Sequence, residues 1–251
     1  MAMKSPWDFF LLLATILTLS GTELAFGAPG SQPSGSPRPV IVEERGMDAG
    51  ERPNTPPVRM IGPGEFEIGG VRILKKKERV EFPAAINMDE GLLEYLIVGA
   101  SGKLHESLLR TEVKPYSVHI ALLLLGLEGT TNPLGYQGEP REPEGDPVDI
   151  RVKWHDKGTL KEGPIEDWVL QGERPMGKTH WVFTGSFVSE GVFMAEVEKS
   201  IVAIFHDPVA LIDNPMPEGR SDEVWFVRKG AVPPPGTEVT VIIEKRSKTG
   251  S

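Results

Sequence analysis

The sequence predicts an α+β fold that is predominantly β, with antiparallel sheets arranged as a sandwich or partly open barrel. Three observations carry this. Short apolar segments alternate with polar residues at the strand period. Gly 28 and Pro 23 in 251 residues punctuate them with turns. Only one long stretch carries a convincing helical pattern.

The strands follow in order. Phe66 and Ile68 alternate with charge, and Gly69-Gly70 turns the chain into Val71 and Ile73. Val80 and Phe82 open another strand, and residues 92–98 (LLEYLIV) are apolar enough to be central. Leu104, Glu106 and Leu108 read as one face of a strand. Val148, Ile150, Val152 and Trp154 alternate with Asp149, Arg151 and Lys153, and a hairpin turn follows at residues 155–158. Segments 181–188, 192–197, 201–205, 224–228 and 239–243 complete roughly ten strands. No fixed period marks a solenoid or propeller.

The helix spans residues 115–125 (PYSVHIALLLL). Pro115 suits its first turn and Gly126 stops it. It is apolar nearly all round, which predicts a buried helix. A short helix is expected at residues 208–213, because Asp207-Pro208 resembles an N-cap followed by a first-turn proline. Residues 128–147 show neither pattern. So long a loop reads as a lid, a binding loop or disorder, and Glu139, Glu142, Glu144 and Asp146 make it acidic.

Domain organisation begins with an address. Lys4 precedes an apolar run at residues 9–19, too short to span a bilayer, and Ala25 and Gly27 have signal-peptidase spacing. A cleavable signal peptide over residues 1–27, cut after Gly27, is expected; the alternative is an uncleaved anchor. Cleavage implies a secreted or periplasmic protein with no transmembrane span. Residues 28–63 carry eight prolines and no aromatic residue, which predicts a disordered linker whose one apolar cluster is Val40-Ile41-Val42. The folded unit then covers residues 64–244, and residues 245–251 form a polar tail.

Charge and composition exclude several classes. Lys+Arg 27 against Asp+Glu 36 gives −9, which argues against nucleic acid as a partner. Signal removal takes away Lys4, Asp8 and Glu23, so the charge becomes −8. Without cysteine there is no disulfide, no thiolate nucleophile and no Fe–S cluster. No cofactor is predicted, although a divalent metal remains open. No HExxH, P-loop, GxGxxG or EF-hand pattern occurs.

Among candidate residues, His105, Glu106 and Ser107 are adjacent, but adjacency along a strand cannot build a triad. Glu106 between Leu104 and Leu108 reads as an inward carboxylate, either ion-paired or functional. His119 lies on the apolar helix as a core residue or a metal ligand. His105, Glu106 and His119 are thus the catalytic and metal candidates. Ser186 is a weak nucleophile candidate, lacking a nucleophile-elbow context. His155, His180 and His206 read as structural or surface residues, and Lys75-Lys76-Lys77 as solvated charge. Trp154, Trp168, Trp181 and Trp225 read as core, with a carbohydrate platform as the alternative.

Residues 102–126 (GKLHESLLRTEVKPYSVHIALLLLG) resemble the YdjY-like domain family of exported bacterial proteins. HWVFTGS (residues 180–186), FHDPVALIDNP (205–215) and VPPPGTEVTVII (232–243) extend the resemblance over residues 64–244. His105, Glu106, Ser107, Lys114, Pro115, His119, Gly185, Ser186, Asp213 and Asn214 match the family pattern. The resemblance implies positions and assigns no roles. Some relatives carry a ferredoxin-type label, from which the absence of cysteine departs.

Three functions compete. An exported, non-catalytic binding or interaction module would take an unknown protein or cell-envelope ligand, through the acidic loop. A metal-assisted or acid–base enzyme would use His105, Glu106 and His119. A redox accessory role rests on the ferredoxin label alone. The first is expected, and the oligomeric state is open.

Overall fold

The computed structural model describes residues 56–247. The expected signal peptide, most of the expected linker and the last residues of the tail lie outside the described residues. The strand β1 (Arg59–Gly62) falls inside the stretch read as linker, so regular structure starts before residue 64.

An N-terminal meander joins β1 to β2 (Glu65–Ile68), β3 (Val71–Leu74) and β4 (Arg79–Ile86), all antiparallel. The chain continues through β5 (Tyr95–Gly99), β6 (Ser107–Thr111), α1 (Pro115–Leu125), β7 (Asp146–Asp156) and β8 (Thr159–Pro164). Next come β9 (Val169–Gln171), β10 (Arg174–Pro175) and β11 (Trp181–Phe183). A two-stranded hairpin, β12 (Val188–Ser189) and β13 (Val192–Phe193), leads into α2 (Met194–Glu198). Last are β14 (Ser200–Ala203), β15 (Ile212–Asp213), β16 (Trp225–Val227) and β17 (Glu238–Lys245).

Eight of these strands form a closed barrel in the order β4-β17-β7-β11-β15-β14-β5-β6, and β6 returns to β4 through Ala85 opposite Arg110 and Ile86 opposite Leu109. The sheet is therefore closed, where a sandwich or partly open barrel was expected. It is also mixed: β5 and β6 run parallel, as do β14 and β15. β5 lies between parallel β6 and antiparallel β14, and its five residues are all buried. Leu96 and Ile97 join the main core, while Tyr95 and Val98 pack outward with Ala203 and Ala210.

The long strands obey the strand period. On β7, Val148, Ile150 and Val152 are buried, with half-buried Asp149, Arg151 and Lys153 between them. On β4, Val80, Phe82, Ala84 and Ile86 point inward. Buried Glu81 lies between them, 2.5 Å from Arg79.

The expected helix at residues 115–125 forms with the predicted limits. Gly126 adopts φ 87° and donates its N–H to Leu122 and Leu123 carbonyls, the left-handed C-terminal stop that glycine permits. The helix is buried on one face only: Val118, Ala121 and Leu122 enter the core, whereas Leu123 and Leu124 are 42% and 39% exposed. It packs on β2, β3, β4, β14 and α2.

The expected helix at residues 208–213 does not form. Asp207 does cap a turn, with Oδ1 accepting from Val209 N–H at 3.0 Å. The chain then extends, because Ile212 and Asp213 pair with Phe183 and Val182. The strand expected over residues 192–197 ends at Phe193 and becomes α2. Leu104–Glu106 is a 3-10 turn rather than a strand. No helix among the described residues is long and apolar enough to cross a membrane.

Candidate functional site

The sequence candidates separate into two places. His105 is 79% exposed and sets Nε2 3.2 Å from Glu106 Oε2. Glu106 does not point into the core, because its 3-10 turn lifts it beside Glu94. Burial, and then the neighbouring Glu106 charge, hold the Glu94 carboxyl above its usual value, with Lys103 opposing. Ser107 is buried, and its hydroxyl donates to Lys103 O at 2.5 Å. That bond ties down the turn.

His119 and Ser186 meet elsewhere. They line one cleft of about 930 Å³ with Lys114, Tyr116, Phe187 and Phe193. The metal set of His105, Glu106 and His119 is thus split. Among the described residues no group of three or more His, Asp or Glu side chains stands as a metal would require.

The cleft is built by local rules. One wall is α1, which carries His119 and Ile120. The opposite wall is the turn at Gly185 and Ser186, followed by the β12–β13 hairpin. Gly185 has φ 85°, and a Cβ there would sit 3.3 Å from Gly129 Cα and 3.6 Å from His119 Cε1. Glycine is needed there to let the turn approach the helix. Ser186 also has positive φ, at 59°. Its Oγ accepts from Ala195 N–H at 3.2 Å, which satisfies one open donor of α2.

The electrostatics are sparse. The His119 ring lies 4.9 Å from Phe193 and 5.8 Å from Phe183, centroid to centroid. Burial pulls its pKa down to about 4, so it is neutral near pH 7. Its Nδ1 is buried without a hydrogen-bond partner. Glu196 is already engaged: Tyr116 N–H donates to it at 3.1 Å, and Lys199 pairs with it at 3.0 Å. Lys114 has no ion-pair partner among the described residues. Val188, Val192 and Val197 edge the cleft at 63%, 49% and 52% exposure.

Such an arrangement can hold an apolar body and offer one free cation and one neutral imidazole. It is poorly arranged for acyl transfer. The serine oxygen already accepts a backbone donor, and among the described residues no hydrogen bond joins it to His119.

The acidic loop differs from expectation. Leu134 is buried, and Arg141 clamps the loop through Glu139, Glu144 and the carbonyls of Asn132 and Pro133. Asp146 also accepts from Glu128 N–H at 2.8 Å, so three of its four acids serve the loop's own structure.

Asp213 and Asn214 form a sealed network. Asp213 accepts from Asp207 N–H at 2.9 Å and Asn214 N–H at 2.8 Å. Burial holds its carboxyl well above the usual value. Asn214 Nδ2 donates to Ile204 O, and His206 sits between the carbonyls of Glu139 and Asn214. These residues join loop to barrel. His155 is exposed and His180 half-buried, and the three lysines of Lys75–Lys77 are exposed. Trp168, Trp181 and Trp225 are core, and Trp154 stacks edge-on to Trp168, so the four form no platform.

The sequence reading missed the contribution of Phe187, Val188, Val192 and Phe193. The Glu190-Gly191 turn between two valines was their signal.

Fold and site together define a closed mixed β-barrel domain with an apolar cleft between its flanking helix and a short hairpin. The chain belongs to the YdjY domain family, whose model matches residues 71–244. No curated protein and no solved structure matches the chain.

Proposed function

We propose that the protein is an exported, non-catalytic binding module whose ligand sits in the His119–Ser186 cleft. One observation carries this reading. Of the positions matching the family pattern, Lys114, His119, Gly185 and Ser186 are far apart in sequence and line a single apolar cleft. Clefts of this kind, mainly apolar with a few convergent polar groups, are the usual form of a small-ligand site. The unpaired Lys114 favours a ligand with an apolar body and an anionic group. Export rests on the sequence features of residues 1–27.

The test uses 1-anilinonaphthalene-8-sulfonate, which has an aromatic body and one sulfonate. Its fluorescence on titration with the full chain should report binding, weakened about tenfold by Val192→Asp and by Lys114→Glu. Both positions are solvent-exposed, so the fold should survive. Binding unchanged in both variants, or none in any form of the chain, overturns the reading.

A further inference from the structure

We infer that the ligand of this cleft is a free carboxylic acid on an apolar chain, its carboxylate held by His119 and Ser186 with Lys114 as counter-ion. The inference rests on the binding reading above and names the ligand's chemical class.

Three observations support it. First, the polar side chains open to the cleft have protons to give. The His119 ring seals Nδ1 away without a partner, while Nε2 stays open to the cleft. A buried N–H without an acceptor is a rarer defect than an unfilled lone pair, so the ring proton belongs on Nε2. Ser186 Oγ accepts from Ala195 N–H, and its own proton has no acceptor among the described residues. Thr130 repeats the arrangement, with its oxygen accepting from Asn132 N–H at 2.9 Å. Second, the one carboxylate on the lining is spent. Glu196 takes the Tyr116 N–H on one oxygen and Lys199 on the other. An amine therefore finds no free carboxylate there. Third, the charges count to one. Lys114 is the only lysine or arginine on the lining. A single cation beside neutral donors balances a monoanion, whereas a phosphate group would bring close to a second negative charge.

The parts lie within reach of one ligand. Gly185 brings the Ser186 turn against His119, with a Cβ position 3.6 Å from the ring. Lys114 stands five residues before His119, ~7.5 Å along the axis of α1, which its four-carbon stem spans. Hydrogen bonds to an ionised acceptor are the strong kind, so a carboxylate gains more from these donors than a neutral head group. The chain would then lie against Ile120, Phe187 and Phe193, with Val192 at the rim. A cleft of about 930 Å³ falls within the range of small-molecule sites.

The experiment is calorimetric titration of the full chain with dodecanoate, dodecylamine and dodecanol, each below its aggregation concentration. The three differ only in head group. The chain carries a net charge of −9, which favours the amine, so a preference for dodecanoate reports the cleft's own donors. Dodecanoate should bind at least tenfold more tightly than either of the others. His119→Phe keeps the ring packing on Phe183 and Phe193 and removes the donor. It should weaken dodecanoate about tenfold and change dodecylamine less than twofold. Binding of 1-anilinonaphthalene-8-sulfonate with no preference for dodecanoate, or an unchanged dodecanoate affinity in His119→Phe, overturns the inference and leaves the cleft reading intact. If neither the dye nor dodecanoate binds, both fail.

Discussion

Glu196 of α2 accepts a hydrogen bond from the Tyr116 backbone N–H at 3.1 Å, so one helix caps the other. The N-cap residue Lys114 supplies no side-chain cap of its own to α1. The same carboxylate pairs with Lys199 at 3.0 Å. It therefore ties α1, the helix wall of the cleft, to α2, which directly follows the hairpin.

Glu196→Ala should remove that cap and lower stability by about 1 kcal/mol, in line with other lost helix caps. Glu196→Gln keeps an acceptor oxygen and should lose less. Urea midpoints of the two variants check this, and equal loss in both would point to the Lys199 pair instead.

His119→Phe preserves the ring packing against Phe183 and Phe193 and removes a buried nitrogen that has no partner. Stability at pH 7 should hold or rise by about 1 kcal/mol. The pH response is more specific. In the unfolded chain the imidazole takes a proton near 6.5, and in the fold only near 4. Falling pH between these values thus favours unfolding, by roughly 3 kcal/mol at most. The variant should lack this component, seen as a flatter plot of unfolding free energy between pH 6.5 and 4.

Asp213 works in the opposite direction. Burial holds its carboxyl well above the usual 3.8. The unfolded chain releases the proton first, so its contribution is full at acid pH and is lost as pH rises above about 4. Asp213→Asn removes the titration. The stability of wild type relative to this variant should decline from pH 4 to pH 7, measured by denaturant midpoints at each pH. A constant difference would show that the buried carboxyl keeps its ordinary value.

Gly145 has φ 151°, and a Cβ on it would collide with the Phe183 carbonyl. This glycine lets the long loop enter β7 beside β11. Gly145→Ala should cost ~3 kcal/mol, since both the backbone conformation and the contact are lost. Gly158, with φ 83° and no neighbour within 4 Å, is the control, and its alanine variant should cost less. Thermal unfolding of the pair separates backbone strain from collision.

Long, regular elements were legible in the sequence. β7 alternates without a break, and α1 carries both its proline start and its glycine stop. Closure was not legible, because it depends on Ala85 and Ile86 meeting Arg110 and Leu109, a pairing that no local pattern announces. The failure at residues 208–213 has a local cause: the Asp207 cap signal is real, but Ile212 is claimed by a strand partner. At the site, His119 and Ser186 were each visible as single residues. Their meeting was hidden because Met194–Glu198 folds as a helix after a run that reads as a strand. Glu106 misled through its spacing to Leu104 and Leu108, which the 3-10 turn cancels.

The position of β17 has a consequence for how the protein is made. It lies between β4 and β7 and is the last of the described strands, far along the sequence from β4. Until it is released, the ring has a gap one strand wide, with β4 and β7 presenting unpaired edges. Those edges invite wrong pairing. A barrel closed by such distant segments also forms slowly. Native closure must therefore wait until β17 has been made, and a chain cut before residue 238 remains a sticky, open ring.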